Sequence, residues 1–346
     1  MKAFIRTDAS LQIGSGHVMR CLTIASNLSK RGYHISFYMR SLEGNLIELV
    51  KQHGYSVKTM NYSGEFCYQK DLHIVGNLIG NDHYDLCIID HYQINADWES
   101  EIRQFARKVV VIDDLANRQH NCDLLLDQNF VRNYQNRYFS LVPDSCTLLL
   151  GPQYLILRDE FSEIRSKITP RSGEVNRLLV FMGGSDPTNE TLKAMDALQN
   201  EKFDFEHIDV VVGQGNPNKK IIEQECRRKG YHYHCQISYL ADLIGKADFA
   251  IGAGGSSTWE RCYLGLPSSS TIVADNQLES TRMANDHGLI WNLGWHEEVS
   301  SKTYHSILEK LSKSKDHIIE MSQKGLELTN NPYGTNPWVQ RFLEIG

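Results

Sequence analysis

The sequence predicts an α/β protein built from two doubly wound domains, each a parallel sheet covered by helices. Apolar segments typical of strands alternate with amphipathic segments typical of helices along most of the chain. Several predicted strands, such as 86–89 and 109–112, are continuously apolar, which is typical of parallel strands buried on both faces. The alternation stops at 164–176, where Ser, Lys, Arg, Thr, Pro and Gly predominate, and then begins again. We therefore interpret this segment as a linker.

The first half is predicted to form a domain over 1–165. Its first helix is indicated by Val18, Cys21, Leu22, Ala25 and Leu28, which recur at helical spacing. In chain order, the predicted elements are strand 3–5, helix 17–30, strand 35–39, helix 43–52, strand 57–59, helix 68–79, strand 85–89, helix 96–107, and strands 108–112 and 123–126.

The second half repeats the pattern, and we predict a domain over 177–329 followed by a tail at 330–346. The predicted elements are strand 178–182, helix 188–199, strand 208–212, helix 217–229, strand 249–252, helix 257–264, strand 270–273, and helices 278–287, 303–313, 315–328 and 338–343. We expect the last helix to cross back to the first domain. Two such Rossmann-like domains facing each other would form a central cleft at the carboxyl ends of their sheets, where ligands bind.

Composition narrows the class of protein. The 346 residues are 41% hydrophobic and 23% charged, which is typical of a soluble globular protein, and the net charge of -6 argues against a nucleic-acid partner. The sequence has no apolar run near the roughly 20 residues that span a bilayer. Its eight cysteines form no Cys-x-x-Cys pair, so we expect reduced core thiols and a cytoplasmic protein. The histidines at 231–234 alternate as in a strand, and no metal site is predicted.

Four loops follow predicted strands and could bind a ligand. They lie at 7–16, 90–92, 183–188 and 252–260. Glycines let a backbone approach a ligand closely, and the N–H groups at a helix start attract anions. Any one such turn could simply pack a helix against a strand. Four such loops at the carboxyl ends of the strands together favour a ligand site. Of the four, the loop at 252–260 is the best suited to bind a diphosphate.

Two nucleotide-binding motifs are disfavoured. In the Gly14-Ser15-Gly16 turn, Met19 stands where a dinucleotide fingerprint requires a third glycine, and the second strand ends without an acidic residue. A Walker-type loop is also absent from the sequence.

His17 is the leading candidate for a catalytic base. A helix N-terminus favours the neutral imidazole, which suits a general base near neutral pH. Asp8 lies across the same loop and is expected to orient the ring. A surface histidine or a helix cap is the alternative interpretation. Further candidates at strand ends are Asp90, His91, Asp113 and Asp114, of which the last two could form a catalytic dyad or a cap beside a solvated carboxylate.

The segment 6–20, which contains Arg6-Thr7-Asp8 and Gly14-Ser15-Gly16-His17, resembles the signature of the UDP-sugar hydrolases of pseudaminic acid biosynthesis. Those enzymes cleave UDP-2,4-diacetamido-2,4,6-trideoxy-β-L-altropyranose. Matching segments follow in order at 88–92, 112–114, 122–126, 157–161, 182–186 and 276–277. The resemblance implies a GT-B fold, related to the N-acetylglucosaminyltransferase of peptidoglycan synthesis.

By this resemblance, His17 activates water for inverting attack at the anomeric carbon, and UDP leaves without a metal or other cofactor. The second domain would hold UDP, with Glu260 at the ribose. Ile237 to Leu240 would border the uracil, and Tyr92 with Arg158 would line the sugar pocket. The remaining residues expected at the substrate are Gly16, Gly184, Ser185, Gly254, Gly255, Ser256, Ser257, Asn276 and Gln277.

Three other functions stay open at this point. A glycosyltransferase could use the same base on an acceptor hydroxyl, and a hydrolysing UDP-N-acetylglucosamine 2-epimerase would release an epimerised sugar. A non-catalytic protein could bind the sugar nucleotide without turnover. The expected partner in every case is a small UDP-sugar; the sequence indicates no membrane insertion and identifies no protein partner.

Overall fold

The computed structural model describes residues 1–62, 64–199, 203–332, 334 and 336–346. The chain divides into two compact units. The first contains Met1–Asn129, Asn133–Ile156 and the C-terminal helix, and the second contains Phe130–Arg132 and Leu157–Pro332. Each unit has its own parallel sheet and apolar core, which confirms the predicted α/β class.

The first unit is a sheet in the order β3-β2-β1-β4-β5-β6-β7, with every neighbouring pair parallel. Its strands are β1 (Lys2–Thr7), β2 (His34–Arg40), β3 (Ser56–Met60), β4 (Tyr84–Asp90), β5 (Ala106–Ile112), β6 (Leu124–Asp127) and β7 (Thr147–Leu150). Its helices are α1 (Gly16–Ser29), α2 (Ile47–Gln52), α3 (Tyr68–Ile79) and α4 (Ala96–Glu101), and short 3-10 turns lie at Ile102–Gln104 and Pro152–Tyr154.

Parallel pairing places the carboxyl ends of the central strands at one edge of this sheet. Thr7, the last residue of β1, pairs with Asp90, the last residue of β4. The next strand, β5, pairs with β4 and ends at Ile112, just before Asp113. Acidic residues that are far apart in the sequence therefore gather at this edge.

The second unit is a parallel sheet in the order β10-β9-β8-β11-β12-β13. Its strands are β8 (Arg177–Phe181), β9 (His207–Val212), β10 (His232–Cys235), β11 (Phe249–Ala253), β12 (Ser268–Ile272) and β13 (Trp291–Trp295). Its helices are α5 (Asp159–Arg165), α6 (Glu190–Ala197), α7 (Lys219–Lys229), α8 (Leu240–Lys246), α9 (Ser256–Tyr263), α10 (Leu278–Asp286), α11 (Ser301–Leu311) and α12 (Lys315–Leu328), and a 3-10 turn lies at Asp275–Gln277.

The boundary between the units lies before α5, whereas the sequence predicted the first domain to extend to residue 165. Arg165 explains the difference, because its guanidinium donates to the carbonyl oxygens of Tyr263 and Leu326 in the second unit. The side chain of Ile164 packs so closely on Gly245 of α8 that a Cβ on Gly245 would lie 2.8 Å from it. These contacts make α5 part of the second unit.

The last helix, α13 (Trp338–Ile345), belongs to the first unit. Its residues Trp338, Val339 and Phe342 are buried in the same apolar cluster as Ile24 and Leu28 of α1. In the part of the chain that the structure describes, no helix is both long and apolar enough to cross a membrane.

Candidate functional site

The site in the first unit is built around His17, the second residue of α1. The turn before this helix contains Gly14, whose φ of +80° suits a residue without a Cβ. The imidazole Nδ1 lies 2.5 Å from Oδ1 of Asp90, the last residue of β4. His17 is 7% exposed, and among the described residues no group hydrogen-bonds its Nε2.

Arg20 holds the same carboxylate from one helical turn further along α1. Its Nε donates to Oδ2 of Asp90 at 2.8 Å, and its Nη2 donates to Oδ1 at 2.7 Å. Burial opposes ionisation of Asp90, but the charge of Arg20 and the contact with His17 outweigh it, and the pKa of Asp90 lies well below its usual range. Because a carboxylate only accepts hydrogen bonds, Nδ1 of His17 carries a hydrogen, and in the neutral imidazole Nε2 presents its lone pair.

Tyr92 packs against the imidazole ring of His17. Its ring meets that of His17 edge-on, with the ring centroids 4.5 Å apart. Burial, with the nearby charge of Asp114, raises the pKa of Tyr92 far above its usual range. Tyr92 is therefore a neutral phenol beside the imidazole, and its expected place in the lining of a sugar pocket stays a prediction.

Asp8 does not orient His17, contrary to the expectation from the sequence. Its carboxylate instead accepts hydrogen bonds from Nη1 of Arg6 at 2.7 Å and Nε of Arg40 at 2.6 Å, and it lies 3.1 Å from Nε2 of His91. Burial opposes its ionisation, but Arg6 and then His91 hold the pKa of Asp8 well below its usual range. Asp8 is therefore part of a buried ion network. The carboxylate that contacts the imidazole of His17 is that of Asp90.

The same network continues on the far side of Arg6. The guanidinium donates to Asp71 through Nε at 3.1 Å and Nη2 at 2.6 Å. Asp71 also accepts from the hydroxyl of Tyr62 at 2.7 Å and the indole of Trp98 at 3.1 Å. Arg6 and Asp8, which belong to the sequence signature, therefore form a buried network of ion pairs at the edge of the sheet next to His17.

The adjacent acids Asp113 and Asp114 do not act as a pair. Asp113 accepts the backbone N–H groups of Leu115 and Ala116 at 3.2 and 2.8 Å, so it caps the turn after β5. Asp114 faces Arg20, with 3.6 Å between Oδ2 and Nη1. This arrangement supports the cap interpretation over the dyad.

A third strand-end acid, Asp127, is buried at the end of β6. Burial raises its pKa to about 7 against the opposing charge of Arg137, whose Nη1 lies 3.3 Å from Oδ2. The sequence analysis did not identify this residue.

The glycine-rich loop in the second unit joins β11 to α9. Gly255, with φ of +87°, immediately precedes Ser256, the first residue of α9. A Cβ on Gly254 would lie 2.7 Å from Oγ1 of Thr281 and 2.9 Å from Oε1 of Gln277, so glycine is required there. The structure thus brings the predicted residues 254–257 together with Gln277. Asn276 is exposed in the neighbouring 3-10 turn.

The predicted residues Gly184 and Ser185 lie in the loop after β8. Gly184 packs so closely on Gly213 that a Cβ on Gly213 would overlap its backbone. The following Asp186 accepts the N–H groups of Glu190 and Thr191 at 2.8 and 3.0 Å, which caps α6.

Arg158 lies in the second unit, beside Glu260. Its Nη2 is 3.1 Å from Oε1 of Glu160 and 3.9 Å from Oε1 of Glu260. Burial, opposed by Arg158, raises the pKa of Glu260. Arg158 is thus placed near a residue predicted to bind ribose, and its expected place beside the sugar stays a prediction.

The residues expected to border the uracil differ in accessibility. Ile237 is half-buried just after β10, whereas Leu240 is 6% exposed as the first residue of α8. The side chain of Leu240 is therefore buried and exposes little surface, and its expected place beside the uracil stays a prediction. Gly16, at the start of α1, is exposed, and a Cβ there would meet no atom within 4 Å.

Sequence reasoning did not single out Arg20, which donates to Asp90, or Thr281, whose hydroxyl lies beside Gly254. Arg20 had a local signal, since it lies three residues after His17 on the same helix face. Thr281 had none, because tertiary packing alone brings α10 to Gly254. Among the described residues, no group of three or more His, Cys, Asp or Glu side chains is arranged to hold a metal ion.

Comparison with solved structures identifies the class of fold. The crystal structure of Acinetobacter baumannii MurG matches with a TM-score of 0.68 at 12% identity, covering 99% of each chain. Two parallel-sheet units of this kind form the GT-B fold, as expected. A scan against models of protein families finds no match.

The chain belongs to the family of UDP-2,4-diacetamido-2,4,6-trideoxy-β-L-altropyranose hydrolases, which confirms the resemblance seen in the sequence. The protein of that name from Campylobacter jejuni is 31% identical over 283 residues, which are 81% of this chain and 94% of that protein. An uncharacterized protein of Methanocaldococcus jannaschii is 27% identical over 287 residues. The match spans 81% of this chain but 57% of that longer relative.

Proposed function

We propose that the protein hydrolyses a UDP-linked 2,4-diacetamido-2,4,6-trideoxyhexose to UDP and the free sugar. The observation that carries this proposal is the pairing of His17 with the buried carboxylate of Asp90, which leaves Nε2 of His17 as an available base. The substrate class is supported by the name of the Campylobacter jejuni relative.

In the proposed reaction, Nε2 of His17 removes a proton from water as the water oxygen attacks the anomeric carbon. The bond between this carbon and the diphosphate oxygen breaks, and UDP leaves with the bonding electron pair. Attack from the face opposite UDP inverts the anomeric configuration. Asp90 stabilises the imidazolium that forms, and Arg20 keeps Asp90 ionised and in position.

The second unit is proposed to bind UDP. The first N–H groups of α9 have no partners within the helix and point to where an anion can be held. The amide of Gln277 borders the same loop. Glu260 offers carboxylate oxygens to the ribose hydroxyls. Because these donors can stabilise the leaving diphosphate, we expect activity without an added metal.

The test is to incubate the purified protein with the UDP-sugar alone in water labelled with heavy oxygen. We expect stoichiometric UDP and free sugar, the label on the anomeric hydroxyl, and an inverted first-formed anomer by NMR. The same rate with and without EDTA is expected.

Other outcomes distinguish the rivals. A glycosyltransferase, a class that shares this fold, would be nearly inert until an acceptor is added. A 2-epimerase would give a sugar with an altered second carbon, and a binding protein would give no products. Label in the phosphate of UDP would exclude attack at carbon.

A further inference from the structure

Arg261 is a buried cation next to the glycine-rich loop, and none of its hydrogen bonds to the described residues goes to a carboxylate. It is 2% exposed on α9. Its uncharged acceptors are the hydroxyls of Ser268 at 3.0 Å, Ser270 at 2.8 Å, Thr258 at 3.2 Å and Ser257 at 3.4 Å, and the carbonyl of Ala253 at 3.0 Å. Burial lowers its pKa to about 10, so the guanidinium remains charged at neutral pH.

The contrast with other buried arginines is informative. Arg6 contacts the carboxylates of Asp8 and Asp71, and Arg40 contacts that of Asp8. A buried charge without a counter-ion is costly, and proteins generally pair such groups. The hydroxyls around Arg261 satisfy its N–H groups but supply no negative charge. The neighbouring carboxylate of Glu260 attracts the guanidinium, but among the described residues it accepts no hydrogen bond from it. An anion from outside the chain would give the buried guanidinium a further negative partner.

The position of Arg261 indicates where that anion would lie. Its Nη1 would be 2.6 Å from a Cβ on Gly252, so the guanidinium fills the space beneath the end of β11. The loop from Gly254 to Ser257 follows directly, and Ser257 accepts from Arg261. The positive charge therefore lies under the same N–H groups that open α9.

A second observation points to a ligand at this loop. The hydroxyl of Thr281 is buried, with the residue 1% exposed, and it has no hydrogen-bond partner among the described residues. It lies 2.7 Å from the position of a Cβ on Gly254. A buried hydroxyl without a partner is unfavourable unless a ligand bonds to it.

We propose that Arg261 is the internal counter-charge for the diphosphate of the nucleotide and that Thr281 donates a hydrogen bond to the same group. This inference rests on the proposed UDP site and adds to it. Arg261 acts through the loop and is a positioning residue. Its charge favours a dianionic or trianionic ligand over a neutral nucleoside, because Coulomb attraction is strong where water is excluded.

The test compares the affinities of the full chain for UDP and for uridine by calorimetry. In Arg261→Gln, we expect UDP affinity to fall by about 10- to 100-fold, as for loss of a charged interaction, with little change for uridine. Arg261→Lys keeps the charge and should retain most of the preference for UDP. Thr281→Val should weaken UDP by about 3- to 10-fold and leave uridine unchanged.

Arg171→Gln is the matched control, because Arg171 likewise donates to uncharged acceptors among the described residues, in its case the carbonyl oxygens of Ile244, Gly245 and Ala247. It should leave the ratio of UDP to uridine affinity unchanged. An equal loss of UDP and uridine affinity in Arg261→Gln would show a merely structural role and overturn the inference. If that variant does not fold, an unchanged ratio in Thr281→Val overturns it. A wild-type protein that binds UDP no better than uridine would instead contradict the proposed function.

Discussion

Nδ1 of His17 lies 2.5 Å from Oδ1 of Asp90, and Arg20 donates twice to the same carboxylate. His17 and Arg20 lie on one face of α1, whereas Asp90 ends β4, far along the chain. Such an arrangement is typical of a catalytic histidine whose tautomer is set by a carboxylate.

His17→Asn is expected to lower turnover of the UDP-sugar by about 10²- to 10⁴-fold, the range for loss of a general base. UDP affinity should change little, since an asparagine amide can still donate to Asp90. UDP release measures turnover, and calorimetry measures binding. Wild-type turnover in this variant would refute the role of His17.

Asp90→Asn is expected to lower turnover by about 10²- to 10⁴-fold, because the amide can donate to Nδ1 and move the imidazole hydrogen to Nε2. The base would then present the wrong tautomer. The measurement is the pH profile of turnover in the variant and the wild type. A full rate at neutral pH would show that Asp90 does not set the tautomer.

Asp8→Asn is the matched variant in the neighbouring network and should act on stability. It leaves Arg6 and Arg40 with one fewer buried carboxylate, which costs about 3 to 5 kcal/mol for a broken buried ion pair. Urea unfolding monitored by fluorescence measures this loss. At a temperature where the variant is folded, its turnover should stay within about tenfold of wild type, well above that of Asp90→Asn.

Asp127→Asn tests the raised pKa of about 7. Below the ordinary value of 3.8, both folded and unfolded chains hold the proton. As the pH rises toward about 7, the unfolded chain releases it while the folded chain retains it, so wild-type stability falls by up to about 4 kcal/mol. The variant should lack this decline, and its free energy of unfolding should rise relative to wild type across that window.

Asp123→Asn is the control for this measurement. Despite partial burial, the N–H of Val109 and the charges of Lys108 and Arg103 lower the pKa of Asp123. Its stability contribution is present above the ordinary pKa and is lost as pH falls through the lowered one. The difference between this variant and wild type should therefore be nearly constant over the window in which Asp127 titrates. The same constancy in Asp127→Asn would contradict the raised pKa.

Glu260→Ala is expected to weaken UDP binding by about 10-fold or more, since a carboxylate that accepts from ribose hydroxyls is lost. The rate at saturating substrate should fall far less. Glu160→Ala is the control, because Glu160 contacts Arg158 in the same way but is not expected at the ribose. A matching loss of UDP affinity in both variants would assign the effect to Arg158.

The elements with strong local patterns were predictable. The strands β1, β4, β5 and β11 lie close to their predicted positions because their side chains are apolar and buried. The strand β13 was missed, since Gly294 and a register shift in its pairing with β12 interrupt the pattern. The predicted helix 96–107 ends early, because its last turns tighten into a 3-10 turn and β5 begins at Ala106.

The sequence by itself determined that His17 opens a helix after a glycine turn and that a second glycine-rich turn opens α9. Both features depend on residues only a few positions apart, so local spacing reveals them. Only the tertiary structure decided which acid holds the imidazole. Asp8 directly follows β1, and Asp90 is the last residue of the neighbouring strand β4, so both lie at one edge of the sheet. Contacts made across parallel strands leave no mark in sequence spacing. In the folded chain, Asp8 contacts the buried arginine Arg6, and Asp90 contacts His17.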